Sequence, residues 1–211
     1  VGLAFVKLSA RDPAHRLGTL VIAPGGPGDS GVAFLKHWAA ELAPLRQRYD
    51  LIGLDPRGVG ESAPLHCMTG AERDAFYAQE VSETTGRQYG SAPESNVETL
   101  AEAARKASPI FGEWFVYRTS ICETWPVPPT WLPHDINAPG APEVLLLNNS
   151  ADPVTTLADA QAVDSALDQA VLVINDGPNH GVYLDGYPCA DAIVNAYFLD
   201  GTLPADGTTC P

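Results

Sequence analysis

The sequence predicts an α/β protein built on a mostly parallel sheet covered by helices, and three observations predict it. Short runs of Leu, Ile and Val, each four or five residues long, end in Gly, Pro, Asp or Asn. The runs are nearly continuous rather than alternating, which marks strands covered on both faces. Stretches of helical period separate them, and strand alternating with helix defines the class.

In chain order, Val1 to Val6 reads as a strand, so any export leader is expected to have been removed already. Thr19-Leu20-Val21-Ile22-Ala23 is the first core strand. Phe34, Leu35, Trp38, Leu42 and Leu45 then recur near a 3.6-residue period, which predicts one helix over Val32 to Arg48. Leu51 to Leu54 is the second core strand, Val144 to Leu147 the third and Ala170 to Ile174 the fourth. Helices are expected over Leu157 to Leu167 and Ala190 to Leu199.

The middle of the chain differs. The Ala- and Glu-rich stretch Thr99 to Lys106 predicts a helix, but Trp125 to Pro133 carries four prolines, which remove donors and fix φ. The organisation read from this is an N-terminal part of the core over 1–67, an insertion over the sheet at 68–142, and a C-terminal part of the core over 143–211.

Composition narrows the function classes. Hydrophobic residues make up 45% of the 211 and aromatic ones 8%, as in an ordinary folded domain. No apolar run approaches the roughly 18 residues of a membrane span. With 26 acidic against 12 basic side chains the formal net charge is -14, which disfavours nucleic acid and anionic lipid as partners.

The four cysteines, Cys67, Cys122, Cys189 and Cys210, lack the short spacing of a metal cluster, so no metal or other cofactor is expected. Wide spacing and an even number fit disulfides and an oxidising, extracellular compartment. Of the three connectivities, Cys189–Cys210 is favoured because it staples the last helix to the C-terminal residues. Cys67 with Cys122 is the remaining pair.

Ligand sites in open parallel sheets lie beyond the carboxyl ends of the strands. Pro24-Gly25-Gly26-Pro27-Gly28 follows the first core strand, and its glycines let backbone amides turn outward, as an oxyanion hole requires. No Lys-Ser/Thr follows to make it a phosphate loop. Asp55-Pro56-Arg57-Gly58 follows the second strand and reads as structural, an Asp–Arg pair across a glycine turn. Asp152 follows the third strand and His180 the fourth. Alone, Asp152 reads as a cap for the helix after it. Together and in that order, the two read as an acid that orients an imidazole and an imidazole that acts as general base.

These loops resemble the secreted tripeptidyl aminopeptidase and proline iminopeptidase-like branch of the α/β-hydrolases. The resemblance is carried by Gly25-Gly26-Pro27-Gly28, Asp55 to Pro64, Cys122-Glu123-Thr124-Trp125-Pro126, Asp152-Pro153-Val154-Thr155 and His180-Gly181-Val182-Tyr183, with the ending at Cys189 and Cys210. It covers 1–67 and 115–211. It implies an α/β-hydrolase fold and a serine exopeptidase acting on peptide amino termini. Asp152 and His180 would be triad acid and base, Gly25 and Gly26 would lie in the oxyanion loop, and no cofactor would be needed. A peptide or small acyl substrate is implied, and esterase or lipase chemistry is a close variant.

The nucleophile is missing from this picture. The G-x-S-x-G turn that the resemblance implies is not found in 65–143. Tyr89-Gly90-Ser91 has Pro93 after it and no buried strand before it, while Ser30 and Ser150 lack the sharp strand-to-helix turn. The nucleophile strand is central in that fold, so its removal would leave neighbouring strands unpaired. Two expectations remain open. Either a second chain or a segment outside these 211 residues supplies the strand, or Trp114 to Thr119 closes the sheet in a catalytically silent binding protein.

Overall fold

A computed structural model describes residues 2–64, 66, 69–72, 74–75, 97–119 and 136–211. The chain divides into two compact units, one formed by 1–65 with 134–211 and the other by 66–133. Cys67, Cys122, Tyr89-Gly90-Ser91 and the proline-rich 125–133 stretch lie outside the described residues.

The first unit holds two three-stranded sheets. In one, β1 (Phe5–Leu8) runs antiparallel to β3 (Tyr49–Leu54), and β2 (Gly18–Ile22) pairs parallel with β3 on its other side. In the other, β4 (Val144–Asn149), β5 (Ala170–Asn175) and β6 (Thr208–Cys210) are all parallel. Among the described residues β2 and β4 are each hydrogen-bonded on one side only.

Helix α1 (Gly31–His37) returns the chain from β2 to β3, followed by the single turn α2 (Ala43–Arg46). The one helix expected over Val32 to Arg48 is therefore two. Pro44 has no N–H to continue the ladder, and its ring clashes with the carbonyl four residues back. Leu35, Leu42, Leu45 and Leu51 form the buried cluster beneath these elements. The helix lies so close on the strand that a Cβ at Gly31 would strike Leu54, and one at Gly53 would strike the Gly31 carbonyl. Strand β2 alternates half-buried and exposed positions, with Val21 63% exposed, so it is not covered on both faces as its sequence suggests.

Helix α5 (Leu157–Ala166) connects β4 to β5, and α6 (Pro188–Asp200) leads toward β6. Val173, Val182, Ala190 and Cys210 are the second buried cluster, and the Cys189–Cys210 disulfide joins α6 to β6. Phe198 and Leu199 near the end of α6 pack against the leucine cluster of the first sheet, where the Tyr49 hydroxyl donates to the Phe198 carbonyl at 2.6 Å.

In the second unit, α3 (Val97–Ala107) and α4 (Gly112–Thr119) pack as a hairpin. Gly112 permits the close turn, since a Cβ there would run into the Ala104 backbone. Trp114 to Thr119 is thus helical and closes no sheet. Its aromatic and β-branched residues carry strand propensity, but packing against α3 overrides it. No described helix is long and apolar enough to cross a membrane.

Candidate active site

The two parallel strands β4 and β5 end level, with Asn149 the register partner of Asn175. The loops that leave them therefore start side by side. Ser150 N–H donates to the Asn175 carbonyl at 2.8 Å and Ala151 N–H to the Gly177 carbonyl at 3.1 Å, which zips the loops together.

Asp152 sits in the first loop with its side chain only 1% exposed. Its Oδ1 accepts the Val154 N–H at 2.7 Å and the Thr155 N–H at 3.0 Å, the turn that an Asp makes with its own following backbone. Its Oδ2 accepts the Thr155 hydroxyl at 3.1 Å and His180 Nδ1 at 2.9 Å. Burial pushes the carboxyl up. The Val154 N–H, His180 and both Thr155 donors outweigh it and hold the pKa at about 2. Asp152 is therefore ionised at neutral pH and can only accept.

That fixes the tautomer. A neutral His180 must present Nδ1–H to Asp152, leaving the Nε2 lone pair for chemistry. The side chain is 57% exposed, and Nε2 has no partner among the described residues. The arrangement of a buried carboxylate, an oriented imidazole and an open nitrogen can abstract a proton from a hydroxyl brought to it.

Asp152 does not cap the helix after it. Thr156 caps α5 instead, accepting from Asp159 N–H while the Asp159 carboxylate accepts from Thr156 N–H and hydroxyl. The sequence contained that signal, a Thr three residues before an Asp. Thr155 is a further residue of the candidate site, one to which the sequence pattern assigns no role. Its hydroxyl serves Asp152 and lies 3.4 Å from His180 Nδ1.

Gly25 and Gly26 lie exposed at the carboxyl end of β2. Gly26 has φ +133, which a side chain would resist. Neither amide is hydrogen-bonded among the described residues, and no hydrogen bond joins this loop to Asp152 or His180. The loop is tied down from behind. Fully buried Asp55 accepts the Ser30 hydroxyl at 2.5 Å and Val32 N–H at 3.0 Å through Oδ1, and Glu61 N–H at 2.9 Å through Oδ2. The Ser30 hydroxyl is the chief cause that holds the Asp55 carboxyl below its usual range, against burial. These donors, rather than the expected Arg57, are its partners.

No described serine sits against the imidazole. The Ser150 hydroxyl donates to Asp176 at 2.9 Å, and that of Ser30 to Asp55. Among the described residues, no group of three or more His, Cys, Asp or Glu is placed to hold a metal.

The chain has the α/β-hydrolase fold. Residues 108–210 match a family model described as TAP-like protein. Carboxylesterase B of Mycobacterium tuberculosis is 38% identical over 90 residues, 43% of this chain and 17% of that protein. Serine protease Hip1 of the same organism is 36% identical over 89 residues, 42% of this chain and 17% of its own length. A tripeptidyl aminopeptidase of Streptomyces lividans is 45% identical over 58 residues, 26% of this chain and 11% of that protein. The matched stretches are thus under a fifth of the curated relatives' lengths. A meta-cleavage product hydrolase from Pseudomonas fluorescens IP01 superposes with a TM-score of 0.51 at 15% identity, covering 95% of both chains.

Proposed function

We propose that this chain supplies the acid and base of a secreted serine exopeptidase that releases short peptides from amino termini. The observation that carries the reading is the 2.9 Å contact between a buried, ionised Asp152 and the exposed imidazole of His180 above two parallel strands. His180 Nε2 takes the proton of a serine hydroxyl as that oxygen attacks the scissile carbonyl. Asp152 stabilises the imidazolium that results, and the proton passes to the leaving amine. The amides of Gly25 and Gly26 stabilise the oxyanion.

The nucleophile belongs to a segment outside these 211 residues or to a second chain, parallel to β2 and β4. Each of those strands has one unpaired edge among the described residues, and each leads into a loop of the site. The Cys189–Cys210 disulfide supports an extracellular setting. Similarity to a tripeptidyl aminopeptidase and a serine protease supports the peptidase reading, and similarity to a carboxylesterase supports the ester variant.

The test is intact mass after treatment of the native protein with a fluorophosphonate. One covalent adduct, abolished by His180→Ala, is expected. Tripeptide anilides should then turn over faster than short-chain esters. No adduct would overturn the hydrolase reading in favour of a catalytically silent binding protein. That second reading draws on the engagement of Ser30 and Ser150 with aspartates, away from the imidazole.

A further inference from the structure

The last residue of β4, Asn149, is fully buried, and its carboxamide is saturated. Nδ2 donates to the Asn179 carbonyl at 2.8 Å and to the Gly181 carbonyl at 2.7 Å. Those carbonyls are the ones on either side of His180. Oδ1 accepts from Nδ2 of Asn175, its register partner on β5, at 2.6 Å. The orientation of both amides follows from this wiring. Only an NH2 group can face two carbonyls, so Asn149 must turn its oxygen to Asn175, which must answer with its own NH2.

We propose that Asn149 is the positioning residue for His180, fixing the imidazole by clamping the backbone carbonyls of the residues before and after it. A side-chain contact alone leaves a histidine on an exposed loop free to swing with its backbone. Here both neighbouring carbonyls are pinned by one rigid group on a core strand, and Asp152 leaves the same strand three residues later. One strand end thus sets the acid through the chain and the base through two hydrogen bonds. The far side of the loop is braced as well, since Asn179 Nδ2 donates to Asp185 Oδ2 at 3.1 Å.

A buried carboxamide is tolerated at a core position only when its donors and acceptor are met, as they are here. A leucine at 149 would suit the apolar run of β4 better if packing were its only task. The clamp rests on the hydrolase reading for its catalytic meaning, but its geometry and its test do not.

The test is proton NMR of the imidazole Nδ1–H of His180 held by Asp152, assigned by its disappearance in His180→Gln. Asn149→Ala, with circular dichroism and the disulfide unchanged, is expected to lose that far-downfield resonance to exchange with water. Asn149→Ser can donate to one carbonyl only and is expected to keep a weakened, faster-exchanging signal. Val173→Ala, a cavity at a fully buried position of β5 in the same sheet, is expected to leave the resonance in place. An unchanged resonance in Asn149→Ala would overturn the proposal. So would equal loss in Val173→Ala, failure of both Asn149 variants to fold while Val173→Ala folds, or absence of the resonance from the unsubstituted protein. A missing fluorophosphonate adduct beside an Asn149-dependent resonance would reject the hydrolase reading and leave the clamp standing.

Discussion

Two buried aspartates follow parallel strands in this molecule, and they are used differently. Asp55, after β3, gives both carboxylate oxygens to the loops around it, so the group is enclosed and holds the glycine loop from behind. Asp152, after β4, satisfies one oxygen with its own backbone and shares the other with an imidazole that reaches the surface. Both carboxyls are held below their usual range, and both side chains are hidden. Burial and a lowered pKa therefore do not separate a carboxylate that only ties loops together from one that orients an exposed imidazole. What separates them is the last hydrogen bond, to a serine hydroxyl beside one sheet and to an exposed histidine beside the other.

The sharpest way to break this comparison is to neutralise each carboxylate in turn. Asp152→Asn and His180→Ala are expected to slow fluorophosphonate labelling and peptide turnover by about 10³–10⁴-fold, the scale of losing a correctly oriented general base. Asp55→Asn is expected to lower the melting temperature with a far smaller loss of rate. Equal losses at 55 and 152 would show that the two carboxylates are not used differently.

Next in size is the disulfide, which ties α6 to β6 in the second sheet. Its 21-residue separation corresponds to about 3 kcal/mol of lost stability on removal. Cys210→Ser is expected to speed amide hydrogen exchange in β5 and the His180 loop while β3 stays protected. Uniform loss of protection across β3 and β5 would mean that the two sheets unfold as one.

The pH dependence has a definite sign. A carboxyl lowered in the folded state adds stability above the unfolded carboxylate range and loses it as pH falls through the folded value. For Asp152 that loss runs from about pH 4 down through about 2. Thermal melts should show the wild type converging on Asp152→Asn across that window. A gap that is constant with pH would remove the His180 contact from the account of Asp152.

Much of this was legible in the sequence. The four core strands announce themselves because aliphatic runs stop at Pro24, Asp55, Asn148 and Asn175. The meeting of Asp152 with His180 was legible from the order of the two residues after successive strands. The polar layer was not. Asn148, Asn149 and Asn175 read as strand punctuation, yet all three are buried. The overlooked signal is that two adjacent parallel strands both end in Asn, a pairing that needs the register to be seen. Strand β6 escaped because Thr208-Thr209-Cys210 is short and polar, and it becomes a strand only by pairing with β5 and by the bond from Cys210 to Cys189.

The smallest expected effect lies on the Asp55 side. The Ser30 hydroxyl does two jobs, donating to Asp55 Oδ1 and accepting the Ala33 N–H at 2.9 Å as the cap of α1. Ser30→Ala removes both, and cap loss alone costs about 1 kcal/mol. Asp55 keeps the Val32 and Glu61 amides, so its charge stays compensated and the strand end should hold. The expectation is a modest fall in denaturation midpoint, with the His180 resonance unchanged. The glycine loop, one residue away at Asp29, should exchange its amides faster. If Ser30→Ala also weakened the His180 signal, the two carboxylates would be coupled across the two sheets, and the division of labour between them would have to be redrawn as one shared scaffold.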